Sequence, residues 1–425
     1  MHKLIAAWAR GSPCGREGGE GDVAVGTPSR VSTSPRGRSA VTTSRVGTLL
    51  VAAIFLVAAC SSAGPKGASA PQVSPRKETT GGRPPGASAG QGRETVRKPK
   101  HENVYAHTKR LAAKVRNVPQ RVYVPNSLGD SVDVIDPKTY RVIGSFPVGA
   151  QPQHITPSWD MKHLYVDNTQ GDFLTVIDPR GGKPVGRKRV VDPYNLYFTP
   201  NGSKAIVVAE RFRRLDFRDP NSWSLLKSVP IPDPGADHLD FSADSRYLLL
   251  STEYSGMVYR VNVRAMKVTG KLRVGGLPID VRLSPDGSVF YVANQGRNGV
   301  SVIDPQKMRE IKFIPTGRGA HGLYVSRNTR FLYVSNRLAG TISVISFRSR
   351  RVVRTWRVGQ SPDMMQLSPN GKELWVSNRF HSTVSVIGTR TGRVLRVIPV
   401  GASPHGLTYF PAPGRFCIGH NGLYR

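Results

Sequence analysis

The chain has 425 residues, with 61 Lys and Arg against 28 Asp and Glu, a formal charge of +33. Its 44 glycines follow no triplet period, which excludes a collagen-like chain, and three cysteines are too few for a disulfide framework or a four-thiolate zinc site. At 38%, hydrophobic residues are few for a chain folded throughout, so part of it is expected to be disordered.

In chain order, the first segment reads as export machinery. Residues 1–60 carry net +4, residues 61–120 carry +9, and the remaining 305 carry +20. Arg36, Arg38 and Arg45 precede an apolar run over residues 46–59, VGTLLVAAIFLVAA. The run is short for a bilayer span but fits the apolar core of a signal peptide. It ends in Val57-Ala58-Ala59-Cys60, which resembles the bacterial lipobox. Small residues admit the peptidase, and the Cys60 thiol is the acylation point. Residues 1–59 are therefore expected to be a signal-peptide region. It is long for one, and an internal start at Val41 or Val46 through a GTG codon is a further expectation. Residues 60–118 are expected to form a lipid-anchored, disordered linker. Its Gly, Pro, Ser and basic composition over residues 61–100 cannot bury enough surface to offset ordering, and ~40 such residues reach on the order of 35 Å. The expected location is the extracytoplasmic face of the cell membrane. Cys417 then remains as the only thiol beyond Cys60.

The rest of the chain repeats. Tyr123-Val124-Pro125-Asn126 recurs as Tyr165-Val166-Asp167-Asn168, Val207-Val208-Ala209-Glu210 and Leu250-Ser251-Thr252-Glu253. It returns as Tyr291-Val292-Ala293-Asn294, Tyr333-Val334-Ser335-Asn336, Trp375-Val376-Ser377-Asn378 and Cys417-Ile418-Gly419-His420. The last positions of these strings are 42, 42, 43, 41, 42, 42 and 42 residues apart. A Val-Ile-Asp column (Asp136, Asp178, Asp304), a glycine column (Gly149, Gly275, Gly317, Gly359, Gly401) and Pro-Asp-Gly or Pro-Asn-Gly turns keep the same period. Each period holds four short apolar runs separated by turn residues. In the copy at 278–317 they fall near 279–283, 289–293, 300–303 and 311–315. Four strands per ~42 residues predict a β-propeller blade. The fold class is thus all-β over residues 119–425. Seven blades are expected, closed by a C-terminal strand around residues 405–409 and leaving one extra strand near 415–420. Eight blades are the alternative.

These strings resemble the YVTN-type β-propeller repeat family. The segments Glu210-Arg211 to Arg218 and Pro413 to Gly422 look like exported actinobacterial lipoproteins of that type. The resemblance implies a propeller with function at the channel mouth. A looser likeness, to denitrification enzymes that hold copper or haem there through histidines, implies a metal as one option. No Cys-x-x-Cys-His haem attachment string occurs.

The start of each innermost strand can be read from a Pro/Ala column. The pairs that follow are Gln153-His154, Tyr194-Asn195, Asp237-His238, Ile279-Asp280, His321-Gly322, Asp363-Met364 and His405-Gly406. The ends of the second strands add Glu210, Arg211, Glu253, Arg337 and Arg379. Each Asn at a strand end reads most simply as a turn residue. The set His154, Asn195, Glu210, Arg211, Asp237, His238, Asp280, His321, Arg337, Asp363, Arg379 and His405 is the candidate ligand site. His154, His238, His321 and His405 are the candidate ligands of a divalent metal, because imidazole is a common first-row ligand. No nucleophile elbow and no phosphate-binding loop appears. Arg348, Arg350, Arg351, Arg354 and Arg357 cluster on an outer strand, where charge protects an edge or meets anionic polymers. The expected function is a monomeric binding or scaffold module at the cell envelope. It would hold an envelope protein, a glycan or a small anion, with nucleic acid an unlikely partner. A metal-dependent or redox enzyme is the alternative.

Overall fold

The computed structural model describes residues 102–425. The expected signal segment, Cys60 and the expected linker up to residue 101 lie outside the described residues. Among the described residues, no helix is long and apolar enough to cross a membrane.

Among the described residues, twenty-eight strands form seven four-stranded antiparallel sheets, so the ring has seven blades. The inner strands are Thr408–Phe410, Pro152–Pro157, Asn195–Phe198, Ala236–Phe241, Pro278–Leu283, Ala320–Val325 and Pro362–Leu367, for blades one to seven. They are buried along their whole length, whereas outer strands such as Lys183–Arg189 and Arg351–Arg357 are mostly exposed and basic. Closure is as the repeat implies. Thr408–Phe410 pairs with Arg121–Asn126, joining the C-terminal end to blade one. The apolar clusters lie between neighbouring blades, for example Tyr333, Trp356, Met365 and Val376 between blades six and seven.

The sequence columns are turn chemistry. Asp136, Asp178 and Asp304 each accept the backbone N–H two residues on, which closes the third-to-fourth-strand turn. Asn168 donates to Phe173 O and Thr175 Oγ1 and accepts the Gly149 N–H. A Cβ on Gly149 would stand 2.7 Å from the Asn168 Cβ and 2.6 Å from the Phe173 ring, so only glycine fits. In blade four the Asn position is taken by Thr252, not Glu253. Thr252 pairs with Ala236 as Asn168 pairs with Pro152, and its hydroxyl donates to Met257 O. The period is therefore 42 throughout, and the 43/41 irregularity disappears.

Inner strands of adjacent blades are clasped by side chains. Tyr197 Oη accepts the Leu239 N–H, Asp240 that of Leu283, Asp280 that of Leu323, and Gln366 that of Tyr409. A second clasp uses serine. Ser251, Ser335 and Ser377 each donate to a carbonyl of the next blade, those of Ile279, Asp363 and His405.

Two expectations need correction. The extra strand near 415–420 is one arm of a hairpin over residues 415–425. Arg415 N donates to Arg425 O, Ile418 N to Leu423 O, and Cys417 bridges Tyr424. The ring is already closed, so the hairpin adds no full strand to a blade and only bridges the inner strand of blade three, where Phe198 N donates to Ile418 O. Its apolar Cys417, Ile418, Leu423 and Tyr424 are buried instead. The hairpin touches the inner strand of every blade, from Thr408–Phe410 round to Pro362–Leu367, which places it on the axis. Residues 102–118, assigned to the linker, are part of the domain. Tyr105, Thr108, Val115 and Val118 are buried, and Tyr105 Oη donates to Leu283 O.

Candidate functional site

A β-bulge builds the site. In blades two, four, five, six and seven the inner strand skips register straight after its Pro/Ala start. Two residues then oppose one: 153 and 154, 237 and 238, 279 and 280, 321 and 322, 363 and 364. A bulge re-aims side chains. These are the pairs that carry the histidines and aspartates, so the repeat itself turns them toward the axis.

Five histidines gather there. His154 stands 4.6 Å from His405, 4.8 Å from His420 and 5.1 Å from His238, ring centre to ring centre. His238 and His420 are 4.5 Å apart, and His321 is 5.7 Å from His405. His420, at the hairpin tip, was not among the residues expected from the sequence. It occupies the eighth copy of the repeat column, the signal that could have found it. Nitrogen atoms of His154, His238 and His420 all lie within 4.8 Å of one another. All three are fully buried; the Asn421 side chain meets His154, Asp237 stands beside His238, and neither ring nitrogen of His420 has a hydrogen-bond partner. Burial holds the His154, His405 and His420 imidazoles well below the usual histidine range. Burial, with Arg337 adding to it, lowers His321 to about 4. These four rings are thus neutral at pH 7.

Carboxylates surround the rings. Asp363 Oδ2 accepts from His405 Nδ1 at 2.8 Å, leaving His405 Nε2 without a partner. Asp363 Oδ1 takes Arg337 Nη2 at 2.5 Å and lies 2.8 Å from His321 Nδ1. His321 Nε2 meets the Arg337 guanidinium, which requires it to be the acceptor. Burial alone would raise the Asp363 carboxyl, but Arg337, His321 and His405 outweigh it and hold it well below the carboxylate range. Asp237 Oδ1 lies 2.7 Å from His238 Nδ1, without the alignment of a hydrogen bond. Asp280 is bound to Leu323 N and Arg282 and stands 3.9 Å from His420 Nε2.

Arg337 and Arg379 approach Asp363 from the loop side, their side chains 12% and 16% exposed. Arg379 Nη1 reaches Gln153 Oε1 at 3.4 Å and Asp363 Oδ2 at 3.8 Å. The opposite end is filled. Arg425 Nη2 donates to Asp240 Oδ1 at 2.6 Å and its guanidinium lies over the Tyr105 ring.

Three expected residues stand apart. Arg211 is half exposed and bound to Asp192 and Asp172, clamping blade three to blade two. Its position after the strand end matches Arg337, but local carboxylates capture it. Glu210 is half-buried in the same blade-three turn. Asn195 is buried, and its side chain is engaged with Tyr197 Oη and Leu196 N.

Solved structures of similar fold include hydrazine synthase of Kuenenia stuttgartiensis, 17% identical, with a TM-score of 0.52 over 59% of this chain and 87% of that one. A functionally unknown protein from Desulfotomaculum acetoxidans is 16% identical, with a TM-score of 0.60 over 68% and 98%. The dihydro-heme d1 dehydrogenase NirN in complex with DHE is 17% identical, with a TM-score of 0.55 over 70% and 77%. At these identities the likeness is one of fold. No curated protein matches the chain. The YNCE-like β-propeller family matches residues 101–413, which ends just before the hairpin that carries His420. The chain belongs to the YNCE-like β-propeller family.

Proposed function

We propose that this propeller is a metal-binding module, holding one first-row transition-metal ion on its axis through His154, His238 and His420. One observation carries the proposal. Three fully buried imidazoles bring ring nitrogens within 4.8 Å of one another, and neither nitrogen of His420 is hydrogen-bonded. Each unsatisfied buried nitrogen costs about 1–3 kcal/mol, and a cation shared among them offsets that cost. Imidazole nitrogens bind zinc at about 2.0–2.1 Å, so ligands of one ion stand about 3.3 Å apart. Small ring rotations close the remaining gap. Asp280 beside His420 and Asp237 beside His238 are the carboxylates that orient metal-bound histidines elsewhere. His405, fixed by Asp363 with Nε2 unpartnered, is a neighbouring ring outside this three-nitrogen group.

The donor set selects the metal. Cys417 is no ligand, since its thiol donates to Gly419 O and burial pushes it up to about 12. An all-imidazole set suits copper and zinc, and Cu(II) binds most tightly of the divalent series. The sequence at Val57 to Cys60 supports placing the module at the cell envelope on a lipid anchor.

Metal analysis of protein purified in low-metal buffer and reloaded with Cu(II) or Zn(II) tests the proposal. One equivalent, lost in His420→Ala and kept in His163→Ala, is the expected outcome; His163 is exposed. Retention of the metal in the double variant His154→Ala with His420→Ala would overturn it. For the anchor, Cys60→Ala moves the protein from the membrane to the soluble fraction.

A further inference from the structure

Arg379 stands next to the imidazoles, sharing Asp363 with His405. The two mouth arginines differ in how their donors are used. Arg337 directs Nε and Nη2 to Asp363 and Nη1 to Gln295 Oε1, so all three of its nitrogens are engaged. Arg379 instead directs Nη1 to Gln153 Oε1 and, at 3.8 Å, toward Asp363. Its Nε and Nη2 make no hydrogen bond to another described residue. A guanidinium offers five N–H donors in a fixed fork that matches a carboxylate bidentately.

Charge points the same way. Asp363 is one carboxylate facing two guanidiniums and two neutral imidazoles. Burial lowers the pKa of Arg379; Asp363 opposes this and Arg337 adds to it. Tyr194 and Glu253 act on it more weakly. A largely buried cation of this kind is stabilised by an anion. Arg379 also acts directly on His405, whose ring stands 4.6 Å from His154. The fork is therefore beside the imidazole cluster and on its loop side. The hairpin and Tyr105 occupy the other end of the axis.

We propose that the fork of Arg379 binds a small carboxylate-type anion beside the metal, so that the ligand class of this centre is a small oxyanion. The inference rests on the metal reading for the position of the anion's second contact. An ion held by neutral imidazoles keeps its full charge, and a single carboxylate bridging metal and guanidinium answers both cations. Gln153 and Gln295 flank the two arginines as neutral polar groups.

The test uses the full chain loaded with Cu(II) and titrated with formate. Formate is expected to shift the visible absorption of the copper and to saturate. Arg379→Gln is expected to weaken formate binding about 10- to 100-fold, the worth of a charge-assisted pair, with copper content unchanged. Arg379→Lys is expected to recover part of it. An unshifted spectrum in the wild type, or equal affinity in Arg379→Gln, overturns the inference while leaving metal binding intact. Should the chain retain no copper, the metal reading fails by itself. Formate then must still raise the melting temperature of the metal-free protein in an Arg379-dependent way, or the anion site fails too.

Discussion

Asp167→Ser is expected to stabilise this protein, more so as pH rises. Asp167 is fully buried in blade two, and neither carboxyl oxygen has a partner. Burial alone pushes its pKa well above the usual value. The repeat shows what belongs at this position. Ser251, Ser335 and Ser377 occupy it in blades four, six and seven, and each donates to the carbonyl 28 residues ahead at 2.5 Å. The same step from residue 167 reaches Asn195. Only the protonated acid can donate there. The unfolded chain ionises near pH 3.9, while the folded chain resists ionisation. The acid's contribution is therefore fully present below about pH 4. It is lost by about 1.4 kcal/mol per pH unit as pH rises toward the folded pKa. Serine donates at every pH. Wild type and variant should be nearly equal at pH 4, with the variant ahead by about 1–3 kcal/mol at pH 7, the cost of an unsatisfied buried polar group. For a domain of this size that is roughly 2–6 °C in Tm. Thermal denaturation at pH 4, 5.5 and 7 reads it, and Asp167→Asn, which keeps the volume, should flatten the pH dependence likewise. A gap that does not widen between pH 4 and pH 7, or a serine variant less stable at pH 7, refutes the reasoning.

His154, His321, His405 and His420 act in the opposite direction. Their folded pKa values are depressed, so their contribution is present above about pH 6.5 and lost as pH falls. His321, at about 4, accounts for about 3 kcal/mol of acid destabilisation over that range. Denaturation midpoints of the metal-free protein should fall between pH 6.5 and pH 4, and a flat profile contradicts the neutral assignment. Gly149→Ala drives a methyl into Asn168 and Phe173 and should cost about 1–3 kcal/mol, read as a lower Tm. Asp363→Asn removes the carboxylate shared by two arginines and two histidines. It should weaken metal binding by about 10- to 100-fold in a competition titration if Asp363 orients His405. Full retention of affinity would leave Asp363 a structural role only.

Much of the ring was legible because its period is a physical constraint repeated seven times. The Pro/Ala column located the pairs now seen in the bulges, since each bulge begins one residue after it. Glu253 was placed one residue out of register because the string around it lacks Asn, and strand pairing rather than residue type assigns Thr252 to that position. Arg211 matched Arg337 by column, yet Asp172 and Asp192 are unique to its neighbourhood and turn it away. His420 carried the column but read as a strand end. Thr408–Phe410 already closes the ring, so the last copy folds into a hairpin that bridges only the inner strand of blade three and buries its apolar residues on the axis. That event is tertiary, and no local pattern announces it. Asp167 was passed over because a single acid in an apolar string gives no sign of what its neighbours can donate.

The most direct test is the X-ray absorption spectrum of the copper- or zinc-loaded chain. Three or four nitrogen neighbours near 2.0 Å with the outer scattering of imidazole rings, reduced by one ring in His420→Ala, are the expected result. A shell of oxygens without imidazole scattering, a sulfur neighbour, or a spectrum unchanged by His420→Ala would contradict a metal centre built on this axis.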